Sequence, residues 1–284
     1  MSENSKYKGI FGIPATPFND DETLDIYSLE KVLDFTLNNG CHGVVMPVMA
    51  SEYQSLTDEE KRIIFKTTIK IIDNKIPTVA GVTGVSDTHS IELAKYAEDV
   101  GFDSVITMPP HSMQPSPSQL RDFFSKLDDA INIPIWIQNH PKGFPLSSDQ
   151  LIDLCNSFEN VSLIKEETAY AGQMITKLID GDGEKNIKSI MGGMGCMHLI
   201  FEYKRGLKAD IDKKIKESEL KTNDYLSKKI FEVRDLLSGE FKSLSGELSI
   251  LKDVVKEKHS ELAKHMKNNV SSIKKVAEKD RKYF

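Results

Sequence analysis

Seven times before residue 206, a short apolar run ends in glycine, proline or a polar side chain and gives way to an amphipathic segment. The runs are 9–15, 43–48, 78–82, 104–109, 134–139, 161–167 and 188–193. The amphipathic segments are 26–39, 57–73, 87–100, 116–130, 147–157 and 170–180, with 196–206 after the last run. Runs that are apolar at nearly every position predict strands buried on both faces, the condition of a parallel sheet covered by helices. Strict βα repetition makes the fold class α/β, either a (β/α)8 barrel or an open doubly wound sheet. Polar residues stand at the C-terminal end of nearly every run: Thr16, Ser51 and Glu52, Thr83, His111, Gln138 and Asn139, and Lys165 to Glu167. A barrel gathers its site there. No GxGxxG or Walker sequence opens a helix, and the GGMG at 192–195 reads first as a tight strand-to-helix turn. The barrel is the favoured reading.

Composition changes sharply at Gly206. Residues up to that point carry 18 Lys and Arg against 29 Asp and Glu, whereas the rest of the chain carries 19 against 14. All 11 prolines, the three cysteines and the single tryptophan precede the seam. The expected organisation is therefore a domain over 1–206 and a helical tail over 207–284. A net charge of −6 argues against nucleic acid as a general partner. No apolar run of about 18 residues predicts a membrane span, and MSENSKYKG lacks a signal-peptide core. Cys41, Cys155 and Cys196 stand far apart, without metal spacing, and fit a reducing cytoplasm.

Lys165 ends an apolar run containing Val161, Leu163 and Ile164. A lysine there must snorkel, pair with an acid or lose its charge. Pairing with Glu166, Glu167 or Glu52 is the structural alternative. Desolvation favours the neutral amine, and a neutral amine attacks ketones to form a Schiff base.

Several motifs in order carry a resemblance: PATPF (14–18), SEYQSLTDEEKR (51–62), VAGVTGVSDTHSIELAKYAEDVGFDSVITMPP (79–110), IQNHP (137–141) and LIKEET (163–168). Together they are similar to the dihydrodipicolinate synthase/N-acetylneuraminate lyase family of class I aldolases. The resemblance implies a barrel that condenses pyruvate-like 2-oxo acids onto Lys165, without a metal or organic cofactor. It implies catalytic roles around Lys165, His111 and Gln138, and substrate contacts from Thr16, Ala50, Ser51, Glu52, Asn139 and Gly192. Three departures stand out. Gln138 replaces the family's fifth-strand tyrosine and cannot shuttle protons at neutral pH. Met49 and Ala50 replace paired threonines. His111 aligns with an aromatic residue and titrates near working pH, although a plain loop histidine is its alternative. His140 is a second candidate, weaker because its side chain should alternate away from that of Asn139. Glu52 reads as a support for the site. Its alternative is helix capping, for which Thr57 with Glu60 fits better.

Beyond Gly206 the family pattern stops, and no eighth strand is evident. Leu226, Ile230, Val233, Leu237, Phe241, Leu244, Leu248, Leu251 and Val255 recur at steps of 3 and 4. That spacing predicts a helix, either folded on the barrel or joined to a second copy as a coiled coil. The expectation is thus a TIM-type barrel cut after its seventh βα unit, with a coiled-coil-like tail. Its expected function is that of a cytoplasmic, homo-oligomeric aldolase or dehydratase. The alternative is a non-catalytic, aldolase-like interaction protein assembled through the tail.

Overall fold

The computed structural model describes residues 6–109, 114–183, 186–205, 242, 244–262 and 264. Each of the seven apolar runs contains a strand: β1 (Phe11–Gly12), β2 (Gly43–Met46), β3 (Thr78–Gly81), β4 (Ser104–Thr107), β5 (Ile135–Asn139), β6 (Val161–Glu166) and β7 (Ser189–Gly192). They form one parallel sheet in sequence order. The helices between them are α1 (Ile26–Asn38), α2 (Asp58–Ile72), α3 (Asp87–Val100), α4 (Pro117–Asp128), α5 (Ser148–Ser157) and α6 (Ala171–Gly181). The short α7 (Leu199–Lys204) follows β7. β1 keeps only two residues of its expected run, and Pro14 just beyond has no N–H to give a ladder.

Local signals set the helix starts. Thr57, Ser116 and Ser147 each accept from the N–H three residues on, while Glu60, Gln119 and Gln150 reach back to the capping residue's N–H. The capping box expected at Thr57 and Glu60 is therefore present. Such reciprocal caps satisfy orphan donors at a helix start and stabilise it by about 1 kcal/mol.

The sheet is rolled. In a flat sheet, β1 and β5 would lie about 19 Å apart, four strand spacings of about 4.8 Å. Instead the rings of Phe11 and Trp136 have centroids 6.0 Å apart across the concave face. That face is filled by Tyr7, Val45, Val79, Ile106, Trp136 and Leu163. The convex face meets the helices through a larger core that includes Phe65, Phe123, Phe124 and Leu151. Every residue of β2 to β6 is buried, whereas β7 is half-buried throughout.

The N-terminal segment closes the floor. Tyr7 meets Trp136 edge-on at 5.6 Å. Its hydroxyl donates to the Asp103 carbonyl at 2.7 Å, and its own carbonyl accepts from Ser189 Oγ at 2.8 Å. Asp103 also accepts from the Thr78 N–H and hydroxyl and pairs with Lys6. One carboxylate thereby ties β3, β4 and the N-terminal strap at the end of the sheet opposite the polar residues.

Seven strands are present among the described residues, and the expected break after the seventh unit falls on residues outside them. The chain divides into two compact units, 1–212 and 213–284. In the second, residues 244–262 are helical. Leu244, Leu248, Leu251, Val255 and Leu262 are 56–63% exposed there. The 226–241 part of the expected stripe lies outside the described residues.

The ends of β5 and β6 are locked together by a buried amide. Asn139 Nδ2 donates to Glu166 Oε2 at 2.7 Å and to the Leu146 carbonyl at 3.2 Å. Its Oδ1 accepts from the Leu146 N–H at 2.8 Å. Asn139→Ala would take the donor from one oxygen of a buried carboxylate and the partner from two backbone groups. The expected cost is about 2–4 kcal/mol in the denaturant midpoint analysis. A variant as stable as the parent would mean that the loop after β5 is held by other contacts.

Candidate active site

Side chains alternate along a strand, so Trp136 and Gln138 share a face of β5, while Leu163 and Lys165 share a face of β6. The ladder pairs Trp136 with Leu163 and Gln138 with Lys165. Trp136 and Leu163 fill the concave core. The same parity brings Lys165 and the residue two further on, Glu167, onto that side above the apolar floor.

A cavity of about 470 Å³ opens there, lined by Lys165, Glu167 and His140 over Val79, Ile106 and Trp136. Lys165 is only 7% exposed. Its Nζ pairs with Glu167 Oε2 at 3.1 Å. Gln138 Nε2 donates to the same oxygen at 2.8 Å. Of the three acids that spacing offered as partners for the lysine, Glu167 is the one in place. A lysine, a carboxyl group and a fixed amide thus meet above an apolar floor, where their interactions are stronger than at a surface.

His140 stands beside this pair. Burial pulls its imidazole below the ordinary histidine value, Lys165 and Lys142 add to the lowering, and Glu167 opposes it. Its Nδ1 accepts from the Lys142 N–H at 3.0 Å, which leaves the proton of the neutral ring on Nε2. The sequence ranked His140 behind His111 by comparing it with Asn139. The relevant comparison is with Gln138, which has the same parity. His111 itself lies outside the described residues.

Other candidates fall in different places. Ala50 and Gly192 line the cavity, as does Met49. Asn139 points to the convex side and spends its amide on Glu166 and Leu146. Thr16 donates to the Ser51 carbonyl at 2.6 Å, and Ser51 donates to the Pro14 carbonyl at 2.7 Å. That reciprocal pair locks the segment after β1 to the turn after β2, committing both hydroxyl protons to backbone. Glu52 is exposed in the left-handed region at φ 58°. It is absent from the cavity wall and from the partners of Lys165, so the supporting role expected of it is not what its position provides.

Glu166 faces away from Lys165. Burial raises its carboxyl and Glu167 adds to the rise, against hydrogen bonds from Thr168 and Asn139. The acidic run KEET therefore divides by parity, with one carboxylate serving the outer lock and the next serving the cavity. Glu167 and His140 were legible in the sequence by that rule. Glu202, on α7, also lines the cavity, and no strand rule could have placed it. Among the described residues, no three His, Cys, Asp or Glu side chains cluster as metal ligands would.

Comparison with known proteins adds an independent line. The model of the dihydrodipicolinate synthetase family matches residues 6–242, past the seam at Gly206 where the resemblance was expected to stop. The 4-hydroxy-tetrahydrodipicolinate synthase of Methanococcus aeolicus is 28% identical over 203 residues, covering 68% of this chain and 70% of its own. The enzyme of that name from Clostridium perfringens is 34% identical over 185 residues, covering 63% and 61%. Among solved structures, the 4-hydroxy-tetrahydrodipicolinate synthase of Methylacidiphilum fumariolicum SolV superposes with a TM-score of 0.66 at 25% identity. That match covers 71% of this chain and 66% of the other. The chain spans roughly two thirds of the length of these relatives. Rolled parallel sheet, motif order and family match agree: the chain belongs to the dihydrodipicolinate synthetase family.

Proposed function

We propose that this protein is a lyase, an aldolase or dehydratase, that binds a pyruvate-like 2-oxo acid as a Schiff base on Lys165. The observation that carries the reading is a buried lysine on the concave face, with a carboxylate at 3.1 Å and a histidine on the same cavity wall. The relatives' names support the same class, and one member of the fold, YagE of E. coli K12, is described in complex with pyruvate.

The chemistry follows from the positions. Glu167 Oε2 accepts a proton from Lys165 Nζ, and Gln138 holds that oxygen in place. The free amine attacks the 2-oxo carbon, and the carbonyl electrons pass to oxygen. Glu167 carries the two protons shed by the nitrogen to that oxygen in turn, His140 Nε2–H hydrogen-bonds it, and it leaves as water when the C=N bond forms. The resulting iminium draws electrons from the adjacent carbon, permitting C–C or C–O bond cleavage or formation. Gln138 positions Glu167 rather than relaying a proton, since an amide does not titrate.

A second reading, assembly through the tail, is favoured by one observation: the exposed stripe of Leu244, Leu248, Leu251, Val255 and Leu262. Its 3,4 spacing suits a second copy of the same helix, and Glu247 and Lys252 flank the seam where a parallel pair would bring them together. The stripe bears on the alternative of a non-catalytic interaction protein assembled through the tail, whereas the cavity bears on the lyase.

Borohydride reduction in the presence of pyruvate is expected to add one pyruvyl group at Lys165, located by peptide mass mapping. Lys165→Arg should abolish the adduct, because a guanidinium stays protonated. A folded protein without an adduct, or with one on another lysine, would count against the imine.

The pH dependence tests His140. Since folding lowers its pKa, the ring is neutral above about 6.5 and takes up a proton only below it. Protonation at Nδ1 breaks the bond from the Lys142 N–H and frees the ring. The rate of trapping should therefore fall with an acid limb below 6.5 that is lost in His140→Gln. A limb that survives the substitution belongs to another group.

For the tail, Leu244→Asp with Leu251→Asp should give a smaller species by light scattering while circular dichroism of the sheet is retained. Each buried, unpaired carboxylate costs at least a few kcal/mol. An unchanged mass would mean that the stripe does not join subunits.

A further inference from the structure

Two glycines follow Met191, and they serve opposite sides of the sheet. The ladder pairs Lys165 with Met191 and Glu166 with Gly192. Gly192 therefore belongs to the helix side, where Glu202 of α7 packs so closely that a Cβ would sit 1.8 Å from its Oε2. One residue on, parity returns to the cavity, and Gly193 lines it together with Lys165 and Glu167. A Cβ at Gly193 would lie 2.1 Å from Glu167 Cγ, 2.3 Å from Oε1 and 2.5 Å from Cδ. The carboxylate of Glu167 thus occupies the space that any side chain at position 193 would take.

Moving that carboxylate would be felt by its partners. Its Oε2 meets Lys165 Nζ at 3.1 Å and Gln138 Nε2 at 2.8 Å. Its Oε1 accepts from the Met194 N–H at 3.5 Å, and Met194 stands in the left-handed region at φ 51°. Strands β5 and β6 and the turn after β7 converge on this one side chain, which is only 7% exposed. A glutamate can rotate about its side-chain bonds to clear a methyl group, so the sheet need not give way. Rotation would instead carry Oε2 away from its two donors. The glycine is therefore dispensable to the sheet and indispensable to the pair.

We propose that Gly193 is a positioning residue: having no side chain, it seats Glu167 against Lys165, while the Met194 N–H holds the carboxylate's other oxygen. The seating is a matter of packing. Its effect on rate rests on the Schiff-base reading, in which Glu167 carries protons away from the lysine nitrogen.

The test is a double-mutant cycle of Gly193→Ala and Glu167→Ala, read by borohydride trapping of pyruvate with reductant in excess and by a crystal structure of each variant. Glu167→Ala loses general acid–base help and should slow the limiting rate about 10²-fold or more. Gly193→Ala should slow it about tenfold or more through misplacement alone, with half-saturating pyruvate little changed. The losses should not add, because with Glu167→Ala in place a Cβ at 193 meets no glutamate. A merely structural glycine would add its full loss in the double variant. Gly195→Ala controls for strain in the turn: Gly195 sits at φ 61°, and a Cβ there meets nothing within 4 Å. It should lower the denaturant midpoint and leave Glu167 on Lys165. In Gly193→Ala the crystal structure should place Oε2 beyond about 4 Å from Nζ, outside ion-pair range. A carboxylate still in place there, a displaced one with an unchanged rate, or losses that add would overturn the proposal. If Gly193→Ala folds only together with Glu167→Ala, stability reports the same contact. Failure of both to fold would make the glycine structural and overturn it too. If even the parent traps no pyruvate but Gly193→Ala displaces the carboxylate, the imine reading falls and the seating stands.

Discussion

A parallel strand buried on both faces has no inexpensive place for a charge, and β6 carries two. Everything distinctive about the cavity follows from how those charges are accommodated. Lys165 faces the concave side and is met by Glu167 and, through it, by Gln138. Glu166 faces the helices and is met by Asn139, Thr168 and the loop that Asn139 holds. Removing one partner from either arrangement leaves an uncompensated buried charge, which costs far more than the pair contributes. Each charge at the strand end is consequently held by fixed partners.

The apolar floor makes that accommodation consequential. Trp136, Tyr7 and Phe11 fill the hollow of the rolled sheet, so water is displaced from beneath the lysine. Local polarity falls, and the influence of each fixed dipole and carboxylate rises. The strap that carries Tyr7 is fastened to β4 through Asp103 and to β7 through Ser189. The cavity is therefore floored by a segment that comes from before the first strand, and its wall is completed by α7 from after the last.

Membership of the family accounts for the scaffold and leaves the chain's own features to explain its chemistry. A glutamine stands where the family pattern has a tyrosine. The carboxylate it supports, Glu167, sits on the wall with His140, a neutral ring at ordinary pH. The family match itself reaches residue 242, so the change in composition at Gly206 does not mark its end. The seam in charge and proline content and the limit of the family match are different boundaries.

Much of this architecture was written in the order of residues. Continuous apolar runs selected a parallel sheet, because only strands covered on both faces lack alternation. Capping residues such as Thr57 with Glu60 fixed where helices begin, because their hydrogen bonds are local. Strand parity, correctly applied, separates Lys165 and Glu167 from Glu166, and Gln138 and His140 from Asn139. What sequence could not supply was contact between remote segments. The seating of Tyr7 on Trp136, the mutual lock of Thr16 and Ser51, and the approach of Glu202 to Gly192 all depend on the sheet being rolled. Curvature is a property of the assembled strands and leaves no mark on any one of them. The sequence by itself thus determined which residues lie on each strand and helix, whereas the tertiary structure decided which of them share a cavity.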